Sequence, residues 1–103
     1  MSNPHIEATI TVLRTEEGGR KNPVYQGYRP QFNWQNSDWD AKYDMGVEVG
    51  VEVAKPGGTF ACEITLSTGA QEEILPKMET GMEFELREGA RVIARGTITK
   101  IIK

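Results

Sequence analysis

Apolar residues recur at every second position along most of this chain, the spacing of a strand with one buried face. Ile6, Ala8, Ile10 and Val12 alternate with Glu7, Thr9 and Thr11. The same period runs through Val47–Val53, Phe60–Leu66 and Met82–Arg87, and a long final strand is predicted over Arg91–Ile102. A short aromatic strand is predicted over Gln31–Gln35, where Pro30 removes a ladder donor only at the edge. Between these runs stand turn signals: Gly18-Gly19, Lys55-Pro56-Gly57-Gly58 and Glu88-Gly89-Ala90. Ser67–Thr80 keeps no period and contains Pro76, so a long connection is expected there, with helix content close to nil. Gly96 inside the last strand predicts a bulge or a tight corner. Six strands without a helical stripe predict an all-β domain, and closure into a barrel hides its edges.

Composition narrows the class. The 103 residues suffice for one domain, and 38% hydrophobic with 26% charged residues excludes a disordered chain. Residues 1–5 are expected to be a frayed N-terminus ahead of a single barrel over residues 6–103. One cysteine permits no internal disulfide and one histidine no His-rich metal cluster. No apolar run approaches the roughly 18 residues of a membrane span, and Met1–Pro4 lacks a signal-peptide core. These features predict a cytoplasmic protein with no membrane partner. The formal charge of −3 argues against wholesale nucleic-acid binding, but it is unevenly spread. Residues 1–35 carry net +1, residues 36–86 net −8 and residues 87–103 net +4.

Catalytic chemistry finds little support. Ser2, Ser37 and Ser67 have only His5 as a base, and His5 lies in the expected frayed end. Cys62 occupies an inward strand position, as a small core residue does. Glu72-Glu73 fits a solvated loop better than an acid–base dyad, and Gly57-Gly58 leads into a strand, not into a phosphate-binding helix. No catalytic residue, cofactor or metal is therefore expected. The informative stretch is residues 14–35, where Gly18-Gly19-Arg20-Lys21 and Gly27-Tyr28-Arg29-Pro30-Gln31-Phe32 interleave cations, aromatics and fixed turns. That pattern suits a phosphate-tracking surface. On composition alone it suits better core aromatics with arginines paired to nearby carboxylates.

The same residues, with Lys55-Pro56-Gly57 and Phe84-Glu85-Leu86-Arg87-Glu88-Gly89-Ala90-Arg91, resemble the third domain of bacterial elongation factor Tu in order and spacing from about Ile6 to Lys103. The resemblance implies a six-stranded antiparallel closed β-barrel that does no chemistry. It also implies contacts with a GTPase domain, a nucleotide-exchange factor and the backbone of aminoacyl-tRNA. Carried over by position, the tRNA- or partner-facing set is Arg20, Lys21, Arg29, Gln31, Glu88 and Gly89. No GTPase domain is present in this sequence, so neither GTP binding nor GTPase activity is expected of it. The departure falls in Asn33–Tyr43, where Gln35 replaces a family arginine and Asp40 a threonine expected near phosphate. A carboxylate about 4 Å from a phosphate is repelled by about 1 kcal/mol even in water.

Two functions follow as expectations. The first is a stand-alone binding module whose partner is a translation-related protein or tRNA, held weakly because few of the family's contacts remain. The alternative is a self-associating structural barrel that uses the former interdomain face, a homo-oligomer with Trp39 as interface anchor.

Overall fold

The computed structural model describes residues 3–103; Met1 and Ser2 of the expected N-terminal segment lie outside the described residues. Three strands form its centre: β1 (His5–Val12) lies between the last long strand and the strand of residues 59–66. Ile6, Ala8, Ile10 and Val12 are all buried, as their period requires. Paired structure begins at His5, which stands opposite Ile102, and its Nε2 lies 3.7 Å from the Glu63 carboxylate.

Among the described residues, eight further strands complete the fold. They are β2 (Val24–Tyr25), β3 (Gln31–Trp34), β4 (Ser37–Trp39), β5 (Ala41–Asp44), β6 (Glu52–Ala54), β7 (Thr59–Leu66), β8 (Glu83–Glu88) and β9 (Arg91–Ile102). Their main sheet runs β4-β3-β8-β9-β1-β7-β5, with every pairing antiparallel. Its two terminal strands, β4 and β5, are consecutive in the chain and separated only by Asp40. They act as one bent strand whose first half pairs with β3 and whose second half pairs with β7. The barrel therefore has six staves and closes through a covalent corner. The Tyr43 hydroxyl donates to the Pro30 carbonyl at 3.0 Å in the buried interior and fixes this seam. A separate ribbon of β2 and β6 lies outside the main sheet.

The fold is the expected all-β barrel, but its sixth stave is not the expected segment. Val47–Val53 has the strongest alternation in the chain, yet only Glu52–Ala54 is strand, paired with β2. Gly46 and Gly50 adopt φ of +79° and +91°, which breaks an extended run, and Val51 N–H turns back to the Glu48 carbonyl. Ser37–Asp44 supplies the stave instead. It enters through a tight turn in which Gln35 and Asn36 both have positive φ, the backbone of a type I′ hairpin.

The long connection after Ser67 also carries structure. Ser67 caps a short helix, α1 (Thr68–Glu73), and a 3-10 turn follows at Leu75–Lys77. Ala70, Ile74, Leu75 and Met78 are buried and join the core, a helical spacing within a stretch that has no period of two. Finally, the bulges of β9 fall on either side of Gly96, where the register shifts at Leu86/Arg87 and at Glu7/Ala8. Gly96 itself pairs regularly with Ile10 and Phe84.

Candidate functional site

The chain between β1 and β2 carries Arg20 to the β8–β9 hairpin. After Val12 the backbone makes a 3-10 turn at Thr15–Glu17, capped by the Glu17 carboxylate accepting from Arg14 N–H at 2.9 Å. Gly19 then passes so close to the preceding strand end that a Cβ there would lie 2.6 Å from the Leu13 carbonyl oxygen. Only glycine permits that approach, and it places Arg20 beside Glu88.

At that point four side chains converge. Arg20 Nη1 donates to Glu88 Oε2 at 2.8 Å, the Tyr28 hydroxyl donates to the same oxygen, and Arg91 Nη2 donates to Oε1 at 3.0 Å. The Arg20 guanidinium also stacks over the Tyr28 ring, 4.3 Å from its centroid. Partial burial of Glu88 opposes its charge, but the Tyr28 hydrogen bond and the Arg20 and Arg91 charges prevail. They hold its carboxyl below the usual carboxylate range. Burial, together with the Glu88 carboxylate, pushes the Tyr28 phenol up, so it stays a donor at neutral pH.

All of the set carried over from the family except Arg29 lies in or beside this cluster. Lys21 and Gly89 are exposed chain neighbours of Arg20 and Glu88, and Gln31 stands opposite Arg87 on the β3–β8 ladder. Gly89 has φ of +61° in the two-residue turn that joins the Glu88–Arg91 pair. Arg29, next to Tyr28, faces elsewhere and lines a depression of about 360 Å³ with Asp40, Lys42, Thr65 and Thr68. Gln31 shares a smaller hollow of about 180 Å³ with Asp38, Trp39, Asp40 and Ser67. Two carboxylates thus stand beside the positions that the family resemblance assigns to phosphate contacts.

The ion pairs among the described residues engage Arg20, Arg87, Arg91, Arg95 and Lys100, but not Lys21 or Arg29. In the basic C-terminal stretch Arg87 pairs with Glu85 on its own strand, and Arg91, Arg95 and Lys100 are met by Glu88, Glu85 and Glu7 on neighbouring strands. Trp39 is partly buried, packs against the core beside Phe32, and encloses its indole N–H without an acceptor. Cys62 is buried, and that burial raises its thiol to about 12. Among the described residues no three metal-ligating side chains converge, and no helix is long and apolar enough to cross a membrane.

Reasoning from sequence missed two features. Tyr28 and Arg91 complete the Glu88 cluster; both stand within the motifs that carry the resemblance, but the carried-over set does not include them. The other is a surface ridge of Tyr25, Val47, Val49 and Val51, the large hydrophobic side chains exposed to solvent among the described residues. Its alternation read as a buried strand. The family model of the elongation factor Tu C-terminal domain matches residues 2–102.

Proposed function

Because the chain belongs to the elongation factor Tu C-terminal domain family, we propose that it is a non-catalytic binding module whose partner is a translation-related protein. The family is related to translation factors and forms the non-catalytic end of a GTPase. The proposal goes further and assigns this chain no GTP binding, no GTPase activity and a cytoplasmic place of action.

One observation carries the choice of protein over tRNA: of the three cations in the inherited RNA-facing set, Arg20 is already paired, and carboxylates stand beside Arg29 and Gln31. Arg20 is bound to Glu88 and stacked on Tyr28. Asp38 and Asp40 flank Gln31. Phosphate contacts draw their strength from cations free to release counterions, and only Lys21 and Arg29 are left for that work. A protein partner tolerates a mixed surface of paired charges and apolar side chains.

Two measurements test the reading. Titration of aminoacylated tRNA at about 50 mM and 200 mM salt is expected to show no saturable binding. Competition with full-length elongation factor Tu for its nucleotide-exchange factor is expected to succeed. Saturable tRNA binding that weakens with salt and with Arg29→Ala, without competition for the exchange factor, would replace the protein reading with the RNA one.

A further inference from the structure

We infer that the ridge of Tyr25, Val47, Val49 and Val51 is a docking surface for an apolar protein segment flanked by lysine or arginine. The inference rests on the protein-binding reading above and names the surface that serves it. Val49 is 81% exposed, and Val47, Val51 and Tyr25 are each more than 40% exposed. Single exposed apolar residues are ordinary, but these four lie on two segments held side by side, where a Cβ at Gly27 would meet Val49 Cγ1 at 3.2 Å, and such a grouping marks an interaction surface.

The ridge is held in place by its own backbone. Gln26 N–H donates to the Val51 carbonyl at 2.9 Å, and Gly50 N–H donates to the Gln26 carbonyl at 2.9 Å. The Gln26 side chain ties the loop base, accepting from Met45 N–H at 2.6 Å and donating to the Tyr43 carbonyl at 3.1 Å. A partner therefore meets a formed surface and spends little on ordering it.

Charge selects the occupant. Residues 43–54 carry Asp44, Glu48 and Glu52 and no lysine or arginine, and all three carboxylates are exposed. A two-fold contact with a second copy would bring the acidic rims together, which is unfavourable. A basic rim around an apolar face is complementary to this one.

The probe is a synthetic amphipathic helical peptide with leucine on one face and lysine on the other, titrated into isotope-labelled protein and followed by amide chemical shifts. Shifts are expected at residues 25–27 and 47–52. Val49→Ser should weaken binding about tenfold, the effect of losing one buried valine. Glu48→Lys with Glu52→Lys should weaken it further at low salt, and a peptide carrying glutamate for lysine should not bind. Absent binding, shifts elsewhere, or indifference to Val49→Ser would overturn the proposal. A concentration-dependent dimer lost in Val49→Ser would overturn the foreign partner in favour of self-association. Successful competition for the exchange factor beside a peptide that ignores the ridge would sink the ridge alone.

Discussion

Gly96→Ala tests how the barrel interior is packed. A Cβ built at Gly96 would lie 2.2 Å from Phe84 Cζ and 2.6 Å from Cε2, far inside contact distance. The ring has little room to retreat. Phe84 is buried and packs on Phe32 with centroids 4.6 Å apart, and Phe32 is wholly enclosed. Relief therefore needs a shift of the β8–β9 pairing or a rearrangement of both rings. Overpacking of this kind costs about 1–3 kcal/mol. In a domain of this size that lowers Tm by roughly 5–20 °C. The sign is informative, because in an open strand alanine is favoured over glycine by roughly 0.5–1 kcal/mol. Urea unfolding of the wild type, Gly96→Ala, Phe84→Leu and the double variant measures the coupling. The double variant should be more stable than the sum of the two single losses predicts. Equal stability of Gly96→Ala and wild type, or strict additivity, would refute the account of a ring laid over the glycine.

Two further outcomes follow from the titrating groups. Glu88→Gln should cost about 1–3 kcal/mol at neutral pH, since it leaves Arg20 and Arg91 without their carboxylate. The wild-type contribution is present above the unfolded carboxylate value and lost as pH falls through the lowered folded value, so denaturation midpoints of the variant should fall less steeply with acid. Cys62, with its thiol raised to about 12, should resist iodoacetamide in the folded state and react fully in urea. Its share of stability is complete below the ordinary thiol value and declines as pH rises toward the raised one.

The strands that sequence located best are those with one buried face and no interruption. β1, β7, β8 and β9 were predicted to within one residue at each end, because inward side chains every second residue leave one register available. The errors share a cause. Alternation reports which residues could share a face, not whether the core will take that face. Val47–Val53 alternates perfectly, but two glycines turn its backbone and its valines stay outside. Ser37–Asp44 alternates as well, with Trp39, Ala41 and Tyr43 set between Asp38, Asp40, Lys42 and Asp44, but it bends at a corner at Asp40, and closing the barrel requires it. Its entry turn was equally hard to read, because Gln35-Asn36 occupies left-handed positions where Asn-Gly is the usual signal.

Proximity was more legible at the site than its chemical state. Chain neighbours and the β3–β8 ladder bring Arg20, Lys21, Gln31, Glu88 and Gly89 to one region, while Arg29 lines a separate depression. What a motif cannot specify is whether an arginine there is free. That depends on residues far away in the chain: Glu88 lies 68 positions beyond Arg20, and the contact exists only because Gly19 lets the chain pass Leu13 closely. A guanidinium paired with a carboxylate must break that pair before it can bind a phosphate, so each pairing lowers RNA affinity without altering the motif. Glu88 accepts from both Arg20 and Arg91, so one carboxylate restrains two cations at once. Replacing it with glutamine tests function as well as stability. If tRNA binding emerges in Glu88→Gln while the wild type has none, the carboxylate is what turns this face away from RNA.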